Sequence, residues 1–296
     1  MTSPVHLTAL DPQYPSRLRG LTDAPASLTT CGGSLEAERV VAIVGSRDAT
    51  PAASVFARDL ASTLARLGVV VVSGGALGID AAAHKGALAV GGRTWAVAGT
   101  GHGAVFPEQH AGLFEEIARG PGAMVWPFAP DYRHRSAFLA RNRVLVALAD
   151  AVVVVQAGFP SGALRAASVA RTLGRPLWVV PAPPWLDGFG GSRLLLDRGG
   201  ARSLLFVDAF LASLGPLAPR GAPPEPLQPV APARPLNQSE AAALGATSTA
   251  PLHLDEIASR AALSAQAASA ALLTLALENV VVEGPPGFFT RRNAAR

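Results

Sequence analysis

The sequence has one cysteine and one lysine. Because Cys31 has no second cysteine to pair with, an internal disulfide framework is excluded, and a reducing compartment is indicated. Lys85 is the only lysine, so nearly all of the positive charge lies on arginine, and the formal net charge is +4. Arginine is suited to bidentate phosphate contacts and to stacking on bases. A GC-rich genome would produce the same bias, so composition leaves the nucleic-acid interpretation open.

Targeting and membrane-spanning segments are also missing. Residues 1–10 have neither the basic nor the apolar region of a signal peptide. No apolar run reaches the ~18 residues that a membrane span needs. We therefore expect a cytoplasmic protein with no membrane partner. The 296 residues, 49% of them hydrophobic, are enough for one substantial core and a second, small domain.

Valine-rich runs alternate with helical patterns through the central part of the chain. Strands are predicted over residues 40–44, 69–73, 94–98, 123–126, 151–156 and 177–180. Continuous apolar runs are typical of strands covered on both faces, and their alternation with helices predicts an α/β fold, a doubly wound parallel sheet. Ligands of such sheets bind beyond the carboxyl ends of the strands. Residues 45–47, 73–80, 99–106 and 157–162 fall at that edge.

A glycine-rich turn, Ser73-Gly-Gly-Ala-Leu-Gly-Ile-Asp80, follows the second predicted strand and leads into a helix. Free backbone N–H groups and the positive end of the helix dipole predict a phosphate site at such a turn. The spacing matches neither the Walker A loop nor GxGxxG. The alternative is that the glycines only permit a tight turn between strand and helix.

An arginine-rich segment with interleaved aromatic residues covers residues 131–143. It contains Arg133, Arg135, Arg141 and Arg143, together with Tyr132 and Phe138. Phe138, Arg141 and Asn142 share one face of a predicted helix. A ring, a guanidinium and an amide are the groups that a binder of single-stranded nucleic acid needs. The alternative makes Phe138 a core residue and the arginines a solvated face.

A proline-rich linker is predicted over residues 215–236, followed by a small winged-helix module over residues 237–296. The second helix of such modules often enters duplex DNA. Here that helix offers Gln266, Ser269 and Thr274, with no arginine or lysine to neutralise phosphate. The sequence therefore favours a protein-contact or regulatory role over duplex binding.

The remaining titratable residues give weak signals for catalysis. Asp80 and His84 lie four residues apart on one predicted helix, a spacing that would suit a base and its orienting partner or two metal ligands. No third ligand or nucleophile accompanies them, so we expect neither a metal nor a catalytic role. His102 and His110 are interpreted as structural, and Cys31 has no evident histidine partner.

Taken together, these motifs resemble the DprA (Smf) family of bacterial DNA-processing proteins over residues 14–201. The resemblance lies in Val44-Gly-Ser-Arg47, Ser73-Gly74, Gly78-Ile-Asp80, Ala83-His84, Gly86-Ala-Leu88, Phe106-Pro107, Phe138-x-x-Arg-Asn-Arg143, Ser161-Gly162, and Arg175 before Val180-Pro181. The C-terminal module is similar to the winged-helix-like domain of many members.

The resemblance implies an extended Rossmann-like domain over residues 40–214 that binds single-stranded DNA, with residues 1–39 as a short extension packing on its core. It also implies a homodimer through this domain and loading of the RecA recombinase during natural transformation, with no enzymatic activity and no cofactor. The DNA-binding residues carried over by position are Arg47, Ser73, Gly74, Gly78, Phe138, Arg141, Asn142, Arg143, Ser161 and Gly162.

The sequence departs from the family pattern at several positions. Leu77 stands where the family usually has a basic residue, Trp126-Pro127 where it has Ser-Glu, Gln156 where it has Glu, and Ala166 where it has Thr. The N-terminal helical domain of many members is absent or reduced to residues 1–35. A second interpretation is a nucleotide N-glycosidase or another nucleotide-binding enzyme on the same sheet. A glycosidase would need a carboxylate near the sugar. Asp80 is the only acid in the matched motifs, which disfavours that enzyme.

Overall fold

A computed structural model of the protein describes residues 3–134, 137–217, 232, 234–278, 280–283 and 287–292. The chain divides into two compact units, Met1–Arg220 and Gly221–Arg296. Arg135, most of the predicted linker and residues 279, 284–286 and 293–296 of the predicted winged-helix module lie outside the described residues. The predicted domain boundaries stay predictions.

The first unit alternates strands and helices along most of its length. In chain order its elements are β1 (Val5–Thr8), α1 (Ser16–Arg19), β2 (Ser27–Gly32), β3 (Val40–Val44), α2 (Pro51–Arg66), β4 (Val70–Ser73), α3 (Ile79–Leu88), β5 (Thr94–Val97), α4 (Ala111–Arg119), β6 (Ala123–Trp126), α5 (Ala137–Leu148), β7 (Ala151–Val154), α6 (Gly162–Thr172), β8 (Leu177–Val179), α7 (Gly190–Asp197), β9 (Arg202–Ser203) and α8 (Val207–Ser213).

One nine-stranded sheet runs through this unit in the order β1-β2-β6-β5-β4-β3-β7-β8-β9. The seven strands from β6 to β9 are parallel, and β2 pairs antiparallel with β6 and with β1. This confirms the predicted α/β class. The N-terminal segment, predicted as an extension packing on the core, supplies two strands of the sheet itself.

Two apolar clusters cover the two faces of the sheet. Alternate residues of β3 separate into them: Val40, Ala42 and Val44 belong to one cluster, and Val41 and Ile43 to the other. The first cluster includes residues of α5 and α6, and the second includes residues of α2, α3 and α8. Burial on both faces explains why the strands read as continuous apolar runs.

Local sequence signals determine where two helices begin. Thr50 caps α2 by accepting a hydrogen bond from Ala53 N, and Pro51 occupies the first helical position. Ser161 caps α6 by accepting one from Leu164 N at 3.4 Å. The loops that precede both helices follow parallel strands, so the N-terminal ends of α2 and α6 lie at the carboxyl edge of the sheet.

The second unit has the three helices and the small antiparallel sheet of a winged helix, in line with the predicted module. It contains α9 (Gln238–Ala246), β10 (Leu252–His253), α10 (Leu254–Ala261), α11 (Ala265–Leu277), β11 (Val281–Glu283) and β12 (Phe288–Arg291). The three strands form an antiparallel sheet in the order β10-β12-β11. No helix in the described part of either unit is long and apolar enough to cross a membrane.

Candidate functional site

A cavity of about 420 Å³ lies beyond the carboxyl ends of β3 and β7. These neighbouring strands are the point where the topology changes direction, because β4, β5 and β6 lie on one side and β8 and β9 on the other. Open α/β sheets usually bind ligands at such switch points. Six of the ten predicted site residues line the cavity: Arg47, Phe138, Arg141, Asn142, Ser161 and Gly162.

Arg47 and Phe138 form a cation–π pair at the rim of this cavity. The Arg47 Cζ lies 5.6 Å from the centroid of the Phe138 ring, and the Phe106 ring meets Phe138 edge-on at 5.2 Å between centroids. All three side chains also line a smaller cavity of about 50 Å³. A cation and two rings therefore share one surface, where a phosphate and a base of one strand would find neighbouring partners.

Arg141 is buried in the wall of both cavities. Its Nη1 donates hydrogen bonds to the carbonyl oxygens of Gly74 and Val97. Burial lowers the pKa of Arg141 to about 10, against the opposing effect of the Asp80 carboxylate, so the guanidinium stays charged at neutral pH. Its buried Nε has no hydrogen-bond partner among the described residues. A buried, incompletely paired cation in a cavity wall favours an anionic ligand.

The phosphate cradle predicted at the glycine-rich turn needs correction. Asp80 Oδ2 accepts hydrogen bonds from Gly74 N at 3.1 Å and from Ala76 N at 3.3 Å, so a side chain of the protein itself takes two of the turn's donors. Burial raises the pKa of Asp80, while Arg141 and the two N–H groups act in the opposite direction. The turn holds an internal carboxylate where the sequence predicted an external phosphate.

Ser73, Gly74 and Gly78 shape this turn. The buried Ser73 hydroxyl donates to Ile43 O at 2.6 Å, linking β4 to β3. Gly78 has a φ of +74°, and a Cβ there would lie 2.2 Å from Ser46 O, so only glycine fits. At Gly74 a Cβ would overlap the Arg141 guanidinium. These residues do not bring free side chains to the cavity, and their contact with DNA stays a prediction.

The N-terminal end of α6 forms the opposite wall of the cavity. Asn142 Nδ2 donates to Gly162 O at 3.3 Å, which ties α5 to the start of α6. Nothing lies within 4 Å of where a Gly162 Cβ would stand. The open helix start, capped by Ser161, adds its positive dipole end to the charges of Arg47 and Arg141.

Arg143 lies apart from the residues that line the cavity. Its guanidinium forms an ion pair with Asp23, a residue 120 positions earlier in the chain. A phosphate would have to displace this carboxylate, so the contact weakens the case for Arg143 as a DNA ligand, which stays a prediction. Of the other arginines in the segment, Arg133 donates to Gly103 O at 3.3 Å.

The histidines near the site have structural contacts. His84 Nδ1 lies 2.7 Å from Thr94 Oγ1, whose hydroxyl donates to Val71 O. Burial lowers the pKa of His84 to about 3, so the ring is neutral and bonds Thr94 rather than Asp80. His110 Nδ1 donates to Gly75 O at 2.9 Å. Within the described ranges, no group of three histidine, cysteine or acidic residues is placed to hold a metal ion.

Two residues near the site were not among the predicted site residues. Phe106 completes the aromatic surface, and its signals in the sequence were its place in the edge loop and the Phe106-Pro107 motif. Gln156 Oε1 accepts from Thr50 N at 2.9 Å, and Ser46 N donates to Gln156 O at 2.8 Å. Gln156 therefore fixes the loop that carries Arg47 and the start of α2.

Comparison with known proteins decides the family. Residues 5–215 match the family model of DNA recombination-mediator protein A, and residues 224–287 match that of the DprA winged helix domain. The chain belongs to the DprA family. The putative DNA processing protein DprA of Mycobacterium tuberculosis is 42% identical over 186 residues, which cover 62% of this chain and 47% of the relative. The protein Smf of Escherichia coli is 36% identical, covering 66% and 53%.

Two solved DprA structures share the fold. DNA processing protein A from Helicobacter pylori, described for its single-stranded DNA binding mode, has a TM-score of 0.65 and 30% identity, covering 72% of this chain and 96% of its own. DprA from Streptococcus pneumoniae has a TM-score of 0.66 and 32% identity, covering 71% and 74%. The chain spans about half the length of the Mycobacterium and Escherichia relatives.

The departures from the DprA pattern fall on both sides of Phe106. Leu77 is 41% exposed and lines the smaller cavity with Arg47 and Phe138. Trp126 meets the His102 ring edge-on at 6.2 Å between centroids. Ala166 is buried in the wall of the larger cavity. These three positions therefore carry uncharged side chains in the structure.

Proposed function

We propose that this chain binds single-stranded DNA across the carboxyl edge of its sheet and delivers the strand to the RecA recombinase during natural transformation. The observation that carries the proposal is the grouping of Arg47, Phe138 and Arg141 around one cavity. Arg47 would contact backbone phosphate, Arg141 would attract it from the cavity wall, and Phe138 would stack a base. Ser161 and Gly162 would present the start of α6 to a neighbouring phosphate.

A fluorescence-anisotropy titration at several salt concentrations tests the DNA-binding part. We expect tight, salt-sensitive binding of a single-stranded oligonucleotide over a duplex. Each neutralised phosphate of a single strand contributes about −0.7 to the log–log salt slope. Arg47→Ala should therefore make the slope shallower by about 0.7. Arg66→Ala is the matched control, since Arg66 is an exposed arginine at the far end of α2. Equal slopes for both variants would contradict the proposed site.

The proposed transfer to RecA has its own test. On DNA coated with single-strand-binding protein, the wild-type chain should accelerate RecA filament assembly, and Arg47→Ala should not. The outer face of α11 offers Gln266, Ser269 and Leu273, all uncharged and exposed. This composition supports a protein contact rather than a duplex contact for the winged helix. Tight binding of duplex DNA that is lost when exposed residues of α11 are substituted would contradict this interpretation.

We further propose a homodimer through the Rossmann-like domain. Trp185, Leu205 and Phe206 are 82%, 67% and 71% exposed, and they lie in the loops that follow the neighbouring strands β8 and β9. Exposed apolar groups of this kind are typical of protein-contact surfaces. Light scattering should give twice the chain mass for the wild type and the single mass for Phe206→Glu. A wild-type monomer at high concentration would contradict the dimer.

The contacts of Asp80 support a binding role over the glycosidase interpretation. Asp80 is the buried carboxylate of the larger cavity, and its Oδ2 is held by Gly74 N and Ala76 N. A carboxylate held in this way supports the turn rather than a sugar. Incubation with a panel of nucleoside monophosphates should release no free base.

A further inference from the structure

An apolar pocket of about 150 Å³ lies beside the proposed DNA surface. It is formed by α4, β2, β6 and the loop after β5. Its walls include Cys31, Phe114, Met124 and Trp126. Phe106 belongs to this pocket and also to the small cavity that contains Arg47 and Phe138. One ring therefore separates the pocket from the surface where the proposed function places the strand.

The pocket is open to a ligand and carries an unused polar atom. Val105 and Phe106 in its wall are 48% and 47% exposed. The Nδ1 of His102 is buried and has no hydrogen-bond partner among the described residues. The Thr100 hydroxyl donates to Ala104 O at 2.9 Å, which leaves its oxygen able to accept. Apolar walls with a few convergent polar atoms suit a flat ligand that is apolar on its faces and polar at its edge.

Contacts between side chains lead from the larger cavity to Phe106 at the border of this pocket. Arg47 lies over Phe138, and Phe138 meets Phe106. Trp126 then stands inside the pocket, edge-on to His102. Rings on which successive bases stack, next to a cationic groove, are the recurring features of single-strand binding surfaces. Because Phe106 lines both the small cavity and the pocket, the base next to one stacked on Phe138 would lie near the pocket.

We propose that this pocket receives one nucleobase of the strand held in the neighbouring cavity, stacked on Trp126 with its polar edge toward His102 and Thr100. The proposal rests on the proposed function and deepens it. Trp126 supplies the largest aromatic side chain among the residues that line the pocket. The ligand class is a nucleobase within a single strand.

The test compares two oligonucleotides of equal length, an oligothymidylate and an abasic strand with the same phosphates. Ala104→Phe places a ring in the pocket, and Trp126→Leu removes the stacking surface but keeps an apolar side chain. Each variant should bind oligothymidylate about tenfold more weakly than the wild type, from the loss of one stacked base. Their affinity for the abasic strand and their salt slopes should be unchanged.

Ala270→Phe is the control, because it adds the same ring at an exposed position of α11. It should bind both strands like the wild type. Two results would overturn the proposals, and they are distinguishable. If the wild type binds neither strand, both the proposed function and the proposed base pocket are contradicted. If the wild type binds both strands, and Ala104→Phe and Trp126→Leu bind oligothymidylate as tightly as the wild type does, only the proposed base pocket is contradicted. Unchanged unfolding temperatures would show that both variants fold.

Discussion

The Asp80 carboxylate accepts a hydrogen bond from Gly74 N at 3.1 Å, across the turn that joins β4 to α3. Arg141 donates to the carbonyl oxygen of the same Gly74. The turn is therefore held between two buried side chains, the acidic Asp80 and the basic Arg141. This arrangement makes the glycine-rich turn a rigid support for Arg141, whose guanidinium lines the cavity.

Removing the acid should destabilise this turn. In Asp80→Ala the N–H groups of Gly74 and Ala76 lose their acceptor, and a buried unsatisfied donor costs about 1–3 kcal/mol. Asp80→Asn keeps an oxygen at the same place and should lose less of the free energy of unfolding. Urea denaturation of both variants gives the comparison. Equal stability of Asp80→Ala and wild type would show that the turn does not depend on the carboxylate.

Phe138 should contribute to DNA binding without changing the number of phosphate contacts. Base stacking on one aromatic side chain is worth about 1–3 kcal/mol, so Phe138→Ala should weaken single-strand binding by that amount. The salt slope should stay that of the wild type. Phe288→Ala removes an exposed ring from the winged helix and should have no effect. A changed slope in Phe138→Ala would mean that the ring positions Arg47 rather than a base.

Leu77 should be a position where affinity can be gained. It is exposed and lines the same small cavity as Arg47 and Phe138. Leu77→Arg would add a cation at this surface, making the salt slope steeper by about 0.7 and the binding tighter at low salt. Leu77→Gln, which is polar and neutral, should leave the slope unchanged. An unchanged slope in Leu77→Arg would mean that the strand does not pass this position.

His84 should make the protein sensitive to mild acid. Its pKa is about 3 in the folded protein because the ring is buried, whereas an unperturbed histidine has a pKa of about 6.5. Between these values the unfolded chain binds a proton that the folded chain does not. The free energy of unfolding should therefore fall by up to about 1.4 kcal/mol per pH unit on acidification below pH 6.5.

His84→Gln should lack this contribution. Denaturation curves of both proteins between pH 7 and pH 5 would reveal it, because the histidine of the unfolded chain becomes protonated in this range, around its reference pKa of about 6.5. The stability difference between wild type and variant should change with pH in this range. A constant difference would mean that His84 is protonated equally in the folded and unfolded chains.

The parallel sheet could be predicted because its strands carry their own signal. Continuous valine runs in β3, β4 and β7 reflect burial on both faces, and Thr50 with Pro51 and Ser161 mark the starts of α2 and α6. β1 and β2 were missed because one is largely exposed and the other only partly buried, so neither reads as an apolar run. α4 was missed because it has only nine residues, so its apolar stripe is short, and it follows a loop that contains proline.

The site was predictable where topology alone assembles it. Arg47 and Ser161 follow neighbouring parallel strands, so the sheet edge brings them together. Two contacts could not be predicted in this way: the ion pair of Arg143 with Asp23 and the hydrogen bond from Gly74 N to Asp80. They depend on how distant parts of the chain pack, and on whether a carboxylate of the protein or a phosphate of a ligand takes the same partner. Motif spacing carries no information about that competition.

The sheet ends at strands that are too short to recruit another chain. β1 has four residues and β9 has two, and they are the outer members of the nine-stranded order. A strand from a second molecule would find only a few backbone hydrogen bonds at either border, which disfavours growth into extended ribbons. We therefore expect the proposed homodimer to assemble through side chains such as Trp185 and Phe206, so that its affinity responds to substitutions of these apolar residues rather than to changes in backbone pairing.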